Sequence, residues 1–390
     1  MRKKMKRIRK SIRWAAPTAA AAALLAALFF GGGDDRSARA QERRASDLPG
    51  PPSRIEPDMV DDRAVTAVKK GLKYLADTQR QNGSWLSGGR YGTYPSAMTS
   101  LAGMAMLASG STPEEGPYHK NVRRAMVYII RVAKPHDDGM IAGPGSEARS
   151  MYGHGFSMLF LAQCYGMQKS PERAREIKLI LEKAAELTSK SQSNPGKPFG
   201  GWYYTPESGS DEGSVTVTQL QALRACRNAG LKVNKKTIER AVAYLKHCQM
   251  PDGGICYSAS NRHGSRPAIS AAGIACFYAA GVYDRAAGGE EGPEAKMVGR
   301  LFDYVEKHIQ VDSNSGGHYF YTHYYLAQAR YQRGGDDWKT YYPKIRDKLL
   351  SVQNTLDGSW QGDGVGTVYG TALALTILQL PYGHLPIYQR

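Results

Sequence analysis

The chain has 390 residues, enough for a sizeable core and, by length alone, for two or three domains. Its 52 Lys and Arg against 35 Asp and Glu give a net charge of +17, yet no basic stripe is interleaved with aromatics, so nucleic acid is not an expected partner. The five cysteines (Cys164, Cys226, Cys248, Cys256 and Cys276) contain no CxxC pair and no spacing typical of a disulfide framework.

The first forty residues account for much of the charge. Arg2, Lys3, Lys4, Lys6, Arg7, Arg9, Lys10 and Arg13 precede an apolar run from Ala19 to Phe30, and Ala38-Arg39-Ala40 follows as an A-x-A site. This is the layout of a bacterial secretory signal. It predicts export to the periplasm or cell envelope, with Gln41 as the new N-terminus. An uncleaved membrane anchor over residues 14–30 is the alternative, although the apolar core is shorter than a spanning helix requires. Residues 1–40 carry ten Lys and Arg against Asp34 and Asp35, a charge of +8, which leaves +9 on the remainder. Residues 41–63 hold Pro49, Pro51, Pro52 and Pro57 among charges and read as a disordered linker.

From Ala64 to the C-terminus one pattern recurs six times, as a polar residue, a Gly turn and, in most copies, a bulky residue just after it. It reads Gln79-Arg-Gln-Asn-Gly-Ser-Trp85, Asp138-Gly-Met140, Phe199-Gly-Gly-Trp202, Gln249-Met-Pro-Asp-Gly-Gly-Ile255, Ser315-Gly-Gly-His318 and Gln353-Asn-Thr-Leu-Asp-Gly-Ser-Trp360. An amphipathic stretch precedes the turn. In the first copy Val65, Val68, Leu72 and Leu75 lie at helical spacing. A run apolar almost all round follows, such as residues 96–108, 269–278 and 368–378. A helix with one wet face paired with a helix buried on every side implies two concentric layers. Six such pairs make twelve helices, which can close into an all-α (α/α)6 toroid and so remove the exposed ends of an open solenoid. The inner-helix N-termini and the Gly loops should then gather at one rim.

The Gln79–Trp85, Gln249–Ile255 and Asp357–Trp360 segments resemble the QW-type repeats of the prenyltransferase and squalene oxidase repeat family, over about residues 65–385. Squalene–hopene cyclases and protein prenyltransferase β-subunits are in that superfamily. The resemblance implies the toroid and a cavity for an isoprenoid-like ligand. Cyclases of this kind protonate an alkene with an Asp of a D-x-D-D motif, and the chain has none. The prenyltransferases hold zinc through Asp, Cys and His. Asp252, Cys256 and His318 offer those ligand types in that order, with a spacing that departs from the family's. No cofactor is expected.

The residues themselves suggest where a ligand would sit. Arg149, Arg262 and Arg266 lie near the inner-helix starts, where helix N-termini favour anions. Tyr152, Tyr321, Tyr324 and Tyr369 are candidates for the wall of an apolar site. His154 and His323, each among aromatics near an inner-helix start, and Asp211 with Glu212 are candidates for catalysis. A core histidine with satisfied hydrogen bonds is the plainer alternative for both histidines. Three functions stay open: a prenyl-handling or cyclase-like enzyme, a ring without catalytic activity that binds lipid or protein, and a saccharide-acting barrel. The last needs two carboxylates across the cavity, drawn from Asp137, Asp138, Asp211, Glu212 and Asp363.

Overall fold

A computed structural model describes residues 56–389 except 144–146, 194–199, 208, 284–291 and 315–317. The expected leader, the A-x-A site, most of the expected linker, Phe199 and the Gly pair of the fifth turn lie outside the described residues. Among those described are twelve α-helices, with isolated bridges and no extended sheet strand. No described helix is long and apolar enough to cross a membrane.

The helices alternate as their hydrophobic patterns require. The amphipathic set is α1 (Asp62–Thr78), α3 (His119–Ala133), α5 (Pro171–Lys190), α7 (Lys235–Cys248), α9 (Pro293–His308) and α11 (Gly335–Ser351). The apolar set is α2 (Pro95–Ala108), α4 (Ser150–Tyr165), α6 (Gly213–Asn228), α8 (Pro267–Ala279), α10 (Tyr319–Arg333) and α12 (Thr367–Gln379). Helix α1 buries one stripe, including Val68, Leu72 and Leu75, whereas every residue of α2 is buried. Even-numbered helices therefore form the inner wall and odd-numbered ones the outer. The ring closes because α12 packs on α2, and α11 on α1.

The recurring turn joins the two layers. After α1, the Gln79 side chain donates from Nε2 to the Gly83 carbonyl at 2.9 Å and to the Asn121 carbonyl of α3 at 3.0 Å. Gln192 does the same to Gly200 and to Thr237 of α7, and Gln249 to Gly253 and to Met297 of α9. Gln353 donates to Gly358 and to Ala67 of α1, which joins the last repeat to the first. The tryptophans fix the other side of the turn. Trp85, Trp202 and Trp360 are fully buried, and their indole N–H groups donate to Leu75, Thr188 and Leu349 in or at the end of the preceding outer helix.

The ordered ring starts earlier than the boundary expected at Ala64. Glu56 N–H donates to the Pro381 carbonyl at 3.1 Å, Val60 is buried, and the Asp61 carboxylate caps α1 through Ala64 N–H at 2.9 Å. Residues 380–389 close the opposite end of the ring from the Gly loops. Leu385, Ile387 and Tyr388 are buried there, and the Tyr388 and Tyr324 hydroxyls meet at 2.8 Å. His384 Nδ1 lies 2.9 Å from the carbonyl of Ala108, the last residue of α2. Among the described residues the ring is therefore a cup, open toward the Gly loops.

Two substitutions separate the role of the turn from that of an ordinary glycine. Gly83 has φ +94°, and a Cβ there would lie 2.4 Å from the Arg124 carbonyl of α3. Gly83→Ala should destabilise the ring by at least about 2 kcal/mol. Gly166, at the end of α4, has open space around it, so Gly166→Ala should stay within about 1 kcal/mol of the parent. Urea unfolding of the two variants measures this, and equal midpoints would contradict the assigned role of the turn.

Candidate functional site

The cup encloses a cavity of about 630 Å³ at the N-terminal ends of the inner helices. Inner-helix positions one or two turns in point at the axis, so α4 supplies Tyr152 and Phe156, α2 supplies Met98 and Leu101, and α12 supplies Tyr369. Helix α10 supplies Tyr321, Tyr324 and Tyr325. The rim loops add Tyr94, Tyr204 and Tyr257, together with Arg149, Arg266 and His318. Four expected aromatics (Tyr152, Tyr321, Tyr324 and Tyr369) thus meet in one wall, and Arg266 joins them. Arg262 does not. It is exposed on its loop and donates to the Gln249 carbonyl at 3.2 Å.

Burial raises the phenol pKa values throughout this wall: Tyr324 is pushed up to about 12, and Tyr152, Tyr321 and Tyr369 well above the ordinary value. All are neutral donors at physiological pH. The Tyr321 hydroxyl is buried and makes no hydrogen bond to any other described residue. Arg149 stacks over the Tyr204 ring at 4.3 Å, and among the described residues neither Arg149 nor Arg266 has a salt bridge.

Among the described residues no Asp or Glu lines the cavity. The nearby carboxylates are engaged elsewhere, mostly as helix caps. Glu212 accepts from Ser214 N–H at 3.1 Å and Val215 N–H at 2.7 Å at the start of α6. Asp363 accepts from Phe320 and Tyr321 N–H at 3.2 and 3.0 Å at the start of α10. Glu147 accepts from Ser96 N–H at the start of α2, and burial pushes its carboxyl up to about 7. Inner helices α2, α6 and α10 therefore each begin against a carboxyl group that accepts from their first N–H groups. Helices α4 and α8 instead begin with Arg149 and Arg266 at the cap position, with no side-chain cap. Helix α12 also begins without a side-chain cap, at Gly366, so the helix ends open to an anion are those of α4, α8 and α12, the first two carrying an arginine.

Asp211 is a structural hub. Its carboxylate accepts from Tyr244 Oη at 2.7 Å, Ser258 Oγ at 2.9 Å and Ala259 N–H at 2.7 Å, and so holds the loop that follows Cys256. Glu212 reaches the cavity only indirectly. Ser214 Oγ donates to it at 2.5 Å and in turn meets the Tyr152 hydroxyl. The Tyr257 hydroxyl lies against Glu212 and is 2.6 Å from Tyr204 Oη. Asp138 and Asp252 each accept from the N–H two residues on, in Met140 and Gly254, which is ordinary turn chemistry.

The structure gives His154 a role that the sequence did not reveal. In four repeats the residue after the Gly turn donates its N–H to a hydroxyl on the first turns of the inner helix. These pairs are Trp85 to Thr99, Trp202 to Thr216, Ile255 to Ser270 and Trp360 to Thr371, all at 2.8–3.0 Å. His154 holds the same position in α4, and its Nδ1 accepts from Ile141 N–H at 3.1 Å. His323 holds the equivalent position in α10, but its Nδ1 partner is the Tyr341 hydroxyl of α11 at 2.8 Å. Burial lowers both pKa values, to about 4 for His154 and about 3 for His323, so both are neutral. His154 is sealed between α4 and α5 away from the cavity, and His323 is buried at its edge. Neither is placed as a proton donor.

The structure also does not assemble Asp252, Cys256 and His318. Asp252 bonds Ser265 Oγ at 2.6 Å, the Cys256 sulfur lies 3.3 Å from the Ser258 carbonyl, and His318 stands at the cavity mouth. Among the described residues no three His, Cys, Asp or Glu side chains are grouped to hold a metal ion.

No family model and no curated protein matches the sequence. Solved structures do match the fold. The GH76A α-1,6-mannanase of Salegentibacter sp. HEL1_6 aligns with a TM-score of 0.60 at 10% identity, over 83% of this chain and 100% of its own. The type II terpene cyclase MstE from Scytonema, in complex with its product merosterolic acid A, aligns with a TM-score of 0.56 at 15% identity, over 83% and 98%. A D-mannose isomerase aligns with a TM-score of 0.58 at 12% identity, over 83% and 99%. At these identities the likeness establishes the α/α toroid and nothing finer.

The buried histidine makes a signed prediction. Below the unfolded value near 6.5 the unfolded chain takes up a proton that folded His154 refuses until about pH 4. Its contribution is therefore intact above about pH 6.5 and is lost as pH falls through that window, at up to about 1.4 kcal/mol per unit. His154→Asn keeps an acceptor for Ile141 N–H without the titration. The stability of the parent relative to this variant should fall between pH 6.5 and 4, as measured by urea unfolding at each pH. Taking the difference cancels Glu147, whose raised pKa acts in the opposite direction. A difference independent of pH would show that His154 is not held neutral.

Proposed function

We propose that the chain is an exported ring that holds an amphiphilic ligand, an isoprenoid-like or other apolar body with an anionic head, in its central cavity. The observation that carries this reading is the composition of the wall: neutral phenols and apolar side chains, two arginines without salt bridges, and no carboxylate among the described lining residues. Aromatic faces suit an apolar or polyene body. Arg149 and Arg266, at the uncapped starts of α4 and α8, suit a phosphate or carboxylate. MstE, which is similar in fold, has been solved with geranylgeranyl dihydroxybenzoate as substrate, a molecule of that general character.

This reading is of binding rather than cyclisation. Protonating an isolated alkene requires a strong acid facing the cavity. The wall offers phenols whose acidity burial has weakened and the histidines His318 and His323, none of them a strong acid, and Glu212 is separated from the cavity by Ser214 and Tyr257. The saccharide reading needs two carboxylates facing one space, and Glu212, Asp363 and Asp211 are held by backbone and hydroxyl donors instead. Export rests on the basic and apolar leader. N-terminal sequencing of the native protein tests it, with Gln41 the expected first residue.

Binding is tested by titrating the purified ring with geranylgeranyl monophosphate and with geranylgeraniol, followed by tryptophan and tyrosine fluorescence. The phosphate should bind about tenfold more tightly than the alcohol, or about 1.4 kcal/mol. Arg149→Gln with Arg266→Gln should remove that difference, and Tyr321→Ala should weaken both ligands. Incubation with squalene should yield no polycyclic product. Absence of binding by either probe would reject the cavity reading, and a polycyclic product would reject the exclusion of cyclisation.

A further inference from the structure

Two of the five cysteines differ from the others. Cys164, Cys226 and Cys276 sit singly within inner helices, and burial raises their thiols, Cys226 to about 12. Cys248 is the last residue of α7, and Cys256 follows the fourth Gly turn. The backbone brings them opposite each other. Gln249 and Ile255 form an antiparallel bridge, Met250 N–H donates to the Gly254 carbonyl at 2.8 Å, and Cys256 N–H donates to the Cys248 carbonyl at 3.0 Å. Residues facing each other in such a pair lie about 5.5 Å apart at Cα, within the roughly 4.4–6.8 Å that a disulfide spans. The two thiols already lie against each other.

From this register we infer that Cys248 and Cys256 are a disulfide-forming pair, joined when the chain folds in the presence of a small-molecule or protein disulfide. In the finished ring, contact with Cys248, together with the nearby Arg262 guanidinium, brings the Cys256 thiol down to about 7 despite burial, while the same contact and burial push Cys248 up. Either thiol can begin the exchange while the loop is still open. With Cys256 first, its thiolate attacks the external disulfide RSSR, forming a mixed disulfide and releasing RS⁻. The Cys248 sulfur then attacks the Cys256 sulfur of that mixed disulfide and expels a second RS⁻. The two thiol protons leave on the two RS⁻ groups as RSH. The protein has lost two electrons and two protons, and RSSR has gained them. Both sulfurs are sealed in the finished ring, so the exchange belongs to folding, before the loop closes over them.

The bond would fix a particular loop. Residues 257–266 leave from Cys256 and return at Ser265, which bridges back to Cys256, and Arg266 N–H donates to the Ile255 carbonyl at 2.8 Å. That segment supplies Tyr257 and Arg266 to the cavity mouth. The staple ties its base to the end of α7. Its existence does not depend on what the cavity binds.

The test uses the full chain, unfolded under reducing conditions and refolded with either reduced glutathione or glutathione disulfide. Each sample is acid-quenched, labelled with N-ethylmaleimide in denaturant and digested for mass spectrometry. After refolding with glutathione disulfide, Cys164, Cys226 and Cys276 should carry the label. Cys248 and Cys256 should appear unlabelled in one linked species, lighter by two hydrogens and separated by reductant. The oxidised ring should need more urea to unfold than the reduced ring. Label on both Cys248 and Cys256 in the glutathione disulfide sample, or a linkage of either to a different cysteine, would overturn the assignment. Cys256→Ser adds a control within the same assay: Cys248 should then be labelled or carry glutathione, and a new internal linkage from it would count against the pair.

Discussion

The fold depends on one shared side-chain amide. In four repeats a Gln at or just past the end of an outer helix donates both to its own Gly turn and to a carbonyl of the next outer helix, as Gln79 does to Gly83 and Asn121. The amide therefore fixes the angle between successive hairpins as well as the shape of one turn. Repeating that angle is what allows Gln353 to reach Ala67 of α1 and close the circle. The glycine is needed for the same reason. At Gly83 the next outer helix passes so close that a Cβ would overlap the Arg124 carbonyl. The tryptophan then fills the space between the layers, and its indole satisfies a carbonyl of the preceding outer helix.

This explains why the fold was legible in the sequence and the site only partly so. Layering follows from periodicity, and the predicted boundaries fall close to the helix ends: residues 96–108 against Pro95–Ala108, and 368–378 against Thr367–Gln379. The cavity aromatics were legible for a related reason, because a tyrosine in the first turns of an inner helix has little choice but to face the axis. Loop residues were harder to place. Tyr94, Tyr204 and Tyr257 reach the wall only because turns in three different repeats fold over the mouth, and no local pattern encodes that convergence. The histidines were misleading for a subtler reason. His154 among aromatics looks like a site, but alignment of the repeats by position places it with Thr99, Thr216, Ser270 and Thr371, where the task is to accept one N–H. That register was present in the sequence, and reading it required knowing which inner-helix position meets the turn.

The carboxylates carry the clearest lesson about chemistry. Six inner helices pointing their N-termini at one rim suggest a broadly anion-attracting mouth, and the structure sets a carboxyl group against half of them. Glu147, Glu212 and Asp363 cap alternate helices α2, α6 and α10. A carboxylate that accepts two backbone N–H groups completes a helix end, and detaching it to act on a ligand would leave those donors bare. The same contacts that stabilise the ring thus keep acids out of the cavity. What positive character remains lies where α4, α8 and α12 begin, at the first two beside Arg149 and Arg266.

The closed end of the cup bears on how a ligand could be held. Because Tyr388 packs against Tyr324 and residues 380–389 cover the far end of the inner helices, the proposed ligand would enter, among the described residues, from the Gly-loop rim. An amphiphile in such a space has one sensible orientation, with its apolar body toward Tyr324 and Tyr325 and its charged head at the mouth, where the arginines and water both lie. The reverse orientation would bury the charge among phenols and leave the apolar part wet, and each of those costs free energy. Tyr321, whose buried hydroxyl has no partner among the described residues, sits between the two zones. A ligand with a single polar atom partway along its body would satisfy that hydroxyl, whereas a plain hydrocarbon would leave it unpaired at a cost of about 1–3 kcal/mol. On the proposed reading the cavity would discriminate along its depth, by charge at the mouth, by one hydrogen bond at Tyr321 and by shape at the floor.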